Sequence, residues 1–299
     1  MKSINLYTFF MYFNIKYIYI LLFLCLFLSL NNEHNYFSLF PFNTKKRPKI
    51  SIFIPIYNKE LYIDKCIKNL QNQTPKDIEI IAVNDCSEDN SLNILNDLAK
   101  NDSRIKIVNN DINHGLLYSR AIGILNSTGE YLMNLDSDDE IYDNECLEYL
   151  YNKTLSFKVD IIAFNVHFEV TNTTVKCNYD NEILLQPKLY KKNFLENNDL
   201  SDYLIWNKLI KKEIFLKAYE DFKIAIYNGK WNYFEDDVWN TLVSKYAQSK
   251  LCLDKLVYIY NNNSDSLMNN RTSIVEFQNL IYRFEMYNHI KYHLFEFLF

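Results

Sequence analysis

The sequence predicts an α/β protein with a mostly parallel central sheet and helices on both faces. Two observations predict it. Between Lys49 and Leu135, short apolar β-rich runs alternate with amphipathic stretches of helical length, and acid-rich loops fall where those runs end. Continuous apolar strands separated by helices indicate βαβ units, because a strand covered on both faces has no use for a polar face.

Taken in order, Ile50 to Ile56, Ile78 to Val83, Ile105 to Val108 and Tyr131 to Leu135 are predicted strands. The helices between them are Leu61 to Asn72, Leu92 to Lys100 and Leu116 to Leu125. Such sheets bind ligands outside the carboxyl ends of their strands. Tyr57-Asn58, Asn84-Asp85 and Asp136-Ser-Asp138-Asp139 all fall there, so three loops converge on one edge. After Asp139 the texture changes. Val159 to Val170 reads as a long β-rich run, Trp206 to Ile210 as a short one and Leu253 to Tyr260 as a further strand. Phe234 to Val243 looks like the start of a helix carrying acids in its first turn, where they suit the helix dipole. Val275 to Phe299 reads as an aromatic-rich helix.

The carboxylates of Asp136, Asp138 and Asp139 crowd one strand end and repel one another unless a cation stands between them. Oxygen donors without a His or Cys cluster suit Mg²⁺ or Mn²⁺ better than Zn²⁺. The plainer alternative is a polar turn in a chain rich in Asp and Asn. Composition bounds the partners. With 48% hydrophobic and 23% charged residues the chain is globular, and 32 basic against 37 acidic residues, net −5, disfavours a nucleic-acid binder. An acidic protein that takes a nucleoside diphosphate must neutralise it locally, which a metal on these acids would do. The six cysteines, Cys25, Cys66, Cys86, Cys146, Cys177 and Cys252, show neither zinc spacing nor a disulfide framework. Of only four glycines, Gly115, Gly123 and Gly129 lie between the third and fourth predicted strands, which suggests close backbone approach there.

Residues 1–30 are read as a single-pass signal anchor, built on the apolar run Tyr17 to Leu30 with Phe9 to Phe13 before it. A cleaved signal peptide is the rival, although no small-x-small site follows Leu30. Residues 31–48 would form a polar stem, 49–272 the folded domain and 273–299 a C-terminal helix. The expected location is a membrane, facing the Golgi or ER lumen in a eukaryotic cell and otherwise on the cytoplasmic face of the inner membrane.

Five segments recur in one order: Ser51-Ile-Phe-Ile-Pro55-Ile-Tyr57-Asn58, Val83-Asn-Asp85-Cys-Ser87-Glu-Asp89-Asn-Ser91, Asn113-His-Gly115-Leu-Leu-Tyr-Ser-Arg120, Gly129-Glu-Tyr131 and Leu135-Asp-Ser-Asp-Asp139. In order and spacing they resemble the family-2 glycosyltransferases, inverting enzymes of the Rossmann-like GT-A fold. A looser likeness covers Trp206-Asn-Lys-Leu-Ile-Lys-Lys-Glu-Ile-Phe215, Glu235-Asp236 and Tyr258-Ile-Tyr260, a combination seen in the branch that builds capsules and surface polysaccharides.

The resemblance implies a nucleotide-sugar donor, typically a UDP-sugar, a glycan or lipid-linked acceptor, and Mn²⁺ or Mg²⁺. It implies that Tyr57, just after the strand-ending Pro55, stacks on the base and that Asp85 accepts a hydrogen bond from it. Asn84 stands where the family usually has a second Asp, which leaves room for a base other than uracil. Arg120 is expected near the diphosphate, with a solvated helix face as its alternative. Asp136 and Asp138 resemble the acids that contact ribose and metal, and Asp139 is a further candidate ligand. Asp236 matches the general base, with Asp237 as alternative. Trp206, Asn207 and Lys208 would line the acceptor side, Trp206 serving either as a sugar platform or as core. A sugar nucleotidyltransferase would need a Gly-rich loop after the first strand, and Ile54 to Lys59 contains no glycine. The remaining alternative, an inactive carbohydrate-binding or scaffolding relative, predicts loss of the acids or the base, and both are present.

Overall fold

A computed structural model describes residues 47–177, 183–185, 204–227, 235–261 and 263. The expected anchor, all but the last two residues of the stem, and the C-terminal helix lie outside the described residues. Among those described, no helix is long and apolar enough to cross a membrane.

The first half alternates as expected: β1 (Ile50–Ile56), α1 (Ile63–Gln71), β2 (Ile78–Asn84), α2 (Ser91–Asn101), β3 (Ile105–Asn109), α3 (Leu116–Asn126) and β4 (Tyr131–Asn134). The second half contains β5 (Glu140–Ile141), α4 (Cys146–Phe157), β6 (Ile161–Phe168), β7 (Thr173–Val175) and β8 (Ile183–Leu185). It ends with β9 (Lys208–Lys211), α5 (Lys212–Tyr227), α6 (Glu235–Tyr246) and β10 (Lys250–Tyr260). One sheet runs β3-β2-β1-β4-β9-β6-β10-β5, with β7 beside β6 and β8 beside β10.

β1 is buried along its whole length, as a central strand must be. Its Phe53 packs edge-on against Phe215 of α5 at 5.9 Å. A Cβ at Gly123 of α3 would stand 2.8 Å from the Phe53 Cβ, so α3 lies directly on this face. Ile52 and Ile54 point the opposite way by strand alternation and are fully buried too, so both faces are covered.

The parallel expectation holds for β3-β2-β1-β4 and for β6 beside β10. It fails at β9, which runs antiparallel to both β4 and β6, and at β5, antiparallel to β10. The sheet is therefore mixed. An apolar run reports burial on two faces and carries no mark of direction, so only the connections could have revealed this. Register then aligns the carboxyl ends: Ile56 sits opposite Asn84, Asn84 opposite Asn109, and Phe53 opposite Asn134. Tyr57, Asp85, Asn110 and Asp136 consequently emerge along one edge.

The opposite edge is closed by Glu79, whose carboxylate accepts from Ser51 Oγ at 2.5 Å, from Thr128 Oγ1 at 2.9 Å and from Gly129 N–H at 3.1 Å. Gly129 is pressed onto β1 here. A Cβ would meet Ser51 N at 2.6 Å and Ile50 C at 2.9 Å, both backbone atoms that cannot withdraw. Gly129→Ala is expected to cost about 1–3 kcal/mol of stability by overpacking. Urea denaturation checks this, and an unchanged midpoint would refute the close approach.

Candidate active site

The turn after β4 holds the three acids, and each meets a different fate. Asp139 N–H donates to Asp136 O at 3.0 Å, closing the turn. Tyr258 on β10 donates its hydroxyl hydrogen to Asp139 Oδ2 at 2.7 Å and accepts from Asp136 N–H at 3.2 Å. Asn261 adds its N–H to Asp139 Oδ1 at 2.9 Å and its amide to Asp138 O at 2.8 Å. Asp139 is 1% exposed, and burial, reinforced by Asp138 and Asp136, pushes its carboxyl well above the usual carboxylate range. Both its oxygens thus fasten the turn to β10, which argues against Asp139 as a direct metal ligand. Asp138 instead reaches out to Lys59, whose Nζ lies 2.6 Å from its Oδ2.

Asp136 turns to Arg120. This arginine, 1% exposed on α3, donates from Nε to Asn134 Oδ1 at 3.1 Å and from Nη2 to Asp136 Oδ1 at 3.2 Å. Its Nη1 serves Glu235 Oε1 at 3.1 Å and also Asp236 Oδ1. A solvated helix face is thereby excluded for Arg120. The acid turn and the first turn of α6, a hundred residues apart in sequence, share one guanidinium. Asp236 keeps 23% of its side chain exposed. Burial pushes its carboxyl up to about 7, with Glu235 and Asp136 adding to the rise and Arg120 and Lys208 opposing it. The side chain of Asp237 lies outside the described residues.

Beside this cluster stand the loops expected to hold a nucleotide. Pro55 is the last residue but one of β1, inside the sheet, and Tyr57 emerges 41% exposed, its ring open to a stacking partner. Asn58, at φ 52°, turns the chain. The loop is stitched to its neighbour: Asn58 N–H reaches Ser87 Oγ at 3.1 Å, Lys59 N–H reaches Ser91 Oγ at 2.8 Å, and Glu60 N–H reaches Asp89 Oδ2 at 2.9 Å. Asn84 and Asp85 are both 3% exposed. Asn84 bonds Asn109 Oδ1 at 3.1 Å and Ser87 N–H at 3.2 Å. Asp85 accepts from Asn110 at 2.7 Å, His114 N–H at 3.0 Å and Gly115 N–H at 2.8 Å. The Asp85 bonds set the loop that leads into α3, where Gly115 takes φ 90° as glycine readily does. This geometry makes Asp85 an organiser of that loop. In the same loop Asn113 Oδ1 is buried with no hydrogen-bond partner among the described residues, an open acceptor of the kind a ligand donor fills.

Trp206 is 4% exposed, with ring centroids 4.7 Å from Tyr258, 5.6 Å from Tyr260 and 6.0 Å from Phe168. Of its two readings, core matches this packing. Asn207 and Lys208 are buried as well, Lys208 Nζ donating to Asn207 Oδ1 at 2.7 Å and to Leu204 O. Lys208 adds positive charge near Asp236 and offers no surface to a ligand.

Among the described residues no three His, Cys, Asp or Glu side chains converge as a ready metal cluster. Asp136 and Asp138 still fit a hard divalent cation, because Mg²⁺ and similar ions take one or two carboxylates and complete their shell with water and substrate phosphates. The ammonium of Lys59 against Asp138 also shows that this position demands positive charge.

Residues 51–218 match the family model of Glycosyl transferase family 2. The chain belongs to that family. It is 30% identical over 223 residues to an uncharacterized glycosyltransferase, EpsJ, of Bacillus subtilis, covering 74% of this chain and 63% of that protein. Its fold is similar to that of S. aureus TarS 1–349 in complex with UDP-GlcNAc, with TM-score 0.61, 20% identity, and coverage of 75% of this chain and 62% of the other. A mannosyltransferase from Pyrobaculum calidifontis, solved with GDP-Man and Mn²⁺, aligns with TM-score 0.50 and 13% identity over 74% of this chain and 59% of that one. The chain therefore spans less than two thirds of the length of these relatives.

Sequence reasoning missed Lys59, Asn134 and Asn261. Lys59 carried no signal, since nothing local pairs it with a residue 79 positions away. Tyr258 stood within a quoted segment, but its hydroxyl role needs the β10 fold to be seen. Tyr258→Phe removes a donor from buried Asp139 and is expected to cost about 1–3 kcal/mol. Urea denaturation reads this, and a midpoint equal to the parent's would show that the hydroxyl does not hold the acid turn.

Proposed function

We propose that this chain transfers a sugar from a nucleotide-diphosphate sugar, specifically a UDP-sugar, to a hydroxyl of a surface-polysaccharide, glycolipid or glycoprotein acceptor. The transfer inverts the anomeric carbon and depends on Mn²⁺ or Mg²⁺. One observation carries this reading: Arg120 holds Asp136 of the acid turn and Asp236 of α6 on one guanidinium. An inverting displacement needs a donor-holding acid and a base close together, acting on opposite faces of the sugar. The UDP complex of the TarS neighbour supports the choice of nucleotide.

In this reading Tyr57 stacks on the base, and Asp136 and Asp138 hold the cation. The cation, when bound, neutralises the diphosphate as it departs. Asp236 rests Oδ1 on Arg120, leaving Oδ2 to take the proton of the acceptor hydroxyl. Burial raises its pKa to about 7, which places its basicity where a base works best near neutral pH.

Only ionised Asp236 serves as base, so the rate is expected to rise with pH through about 7 and to level above it. Asp236→Asn should flatten that limb and lower turnover by roughly 10²-fold or more while metal and UDP affinity change little. Asp237→Asn should retain most activity. Transfer by Asp236→Asn at the parent rate and with the parent pH profile would overturn the assignment.

The apolar run in residues 1–30 is proposed as the membrane anchor of this enzyme. Full-length protein is then expected in the membrane fraction. Recovery from the soluble fraction with its N-terminus intact would refute the anchor.

A further inference from the structure

We propose that Lys59 is the resident counter-ion of Asp138, displaced when a divalent cation arrives and then free to meet the donor diphosphate. This assignment rests on the metal-dependent donor binding proposed above and adds a residue that the sequence motifs do not include. Lys59 Nζ lies 2.6 Å from Asp138 Oδ2, and the two side chains are 18% and 17% exposed.

The pair combines a fixed base with a movable head. Lys59 N–H is tied to Ser91 Oγ at 2.8 Å, and Asn58 and Glu60 on either side are bonded to Ser87 and Asp89. The backbone of the loop is therefore held. The ammonium rides on four methylenes, bonds to one carboxylate, and otherwise has the Tyr62 ring 5.5 Å away. Arg120 shows the contrasting design, since its guanidinium is buried and fixed by four acceptors and has nowhere to go.

A divalent cation and an ammonium on the Asp138 carboxylate repel each other across a few ångströms, so the two compete for it. Metal binding therefore ejects Lys59 Nζ. The ejected ammonium stays on the loop that carries Tyr57, the proposed base platform two residues earlier, and Lys is a compact point charge suited to phosphate oxygens. Its position changes from neutralising the empty site to neutralising the donor. The exchange keeps a positive charge against the acids at every stage, so the crowded carboxylates are never left bare.

A merely structural ion pair at this partly exposed site would contribute little to stability and would play no part in donor binding. The two roles separate on titration of the full chain with Mn²⁺ alone, read as free Mn²⁺ by electron paramagnetic resonance. Lys59→Met keeps the length of the side chain and removes its charge. It is expected to bind Mn²⁺ about threefold or more tighter than the parent in the absence of nucleotide, with the gap narrowing as salt rises. In saturating Mn²⁺ the same variant should bind UDP several-fold more weakly. Asp138→Asn should lose Mn²⁺ binding whether or not Lys59 is present. Equal Mn²⁺ affinity in parent and Lys59→Met overturns the exchange and leaves metal-dependent donor binding standing. Absence of Mn²⁺ binding in both overturns the exchange together with the metal reading. Tighter Mn²⁺ with unchanged UDP affinity removes the diphosphate role.

Discussion

Arg120 draws Asn134, Asp136, Glu235 and Asp236 onto one buried guanidinium, and the geometry of the whole site hangs on that contact. Three carboxylates share its single positive charge, so the cluster remains net negative. Desolvating such groups costs several kcal/mol per ion and is offset only where every donor finds an acceptor. A lysine could not replace it. An ammonium offers three donors from one point, whereas the planar fork reaches four acceptors on two separate elements. Burial raises the Asp236 pKa, Glu235 and Asp136 add to the rise, and the arginine keeps it from going further. One contact thus fixes where Asp236 stands and limits how far its pKa rises.

The acid turn shows how similar side chains acquire different work from their surroundings. Asp136 lies on Arg120, Asp138 on Lys59, and Asp139 on Tyr258 and Asn261. Asp139 behaves as a structural pin. Asp138, paired with the partly exposed Lys59 side chain, is the acid best disposed to exchange partners. The tilted ring contact of Trp206 with Tyr258 ties the approach to β9 to the same turn.

Much of the first half was legible because burial on two faces leaves a plain apolar signature. β1, β2 and β3 fall where their runs predict, and Tyr57, Asp85 and Asp136 emerge at the predicted edge. The sense of β9 was not legible, because strand direction leaves no trace in an apolar run. The helix Cys146–Phe157 was also missed, its face blurred by Tyr149 and Tyr151, which lie partly buried against the core. At the site, residue types were visible and partners were not. Asp85 reads as a ligand-facing acid, and only the structure shows that its oxygens also accept from Asn110, His114 and Gly115. Trp206 could be a platform or core until the rings around it were placed.

The order of strands in the sheet also bears on how the chain is made. β4 is the inner neighbour of β9, yet β9 follows it by roughly 70 residues of synthesis, which at 5–20 residues per second is about 4–15 s. During that interval the strand carrying the acid turn presents an unpaired edge, the kind of template on which nascent chains mispair. Arg120 meanwhile has Asn134 and Asp136 beside it but neither acid of α6. The nascent chain consequently presents an open edge at the strand that leads into Asp136, and slower elongation through residues 135–207 would lengthen that exposure.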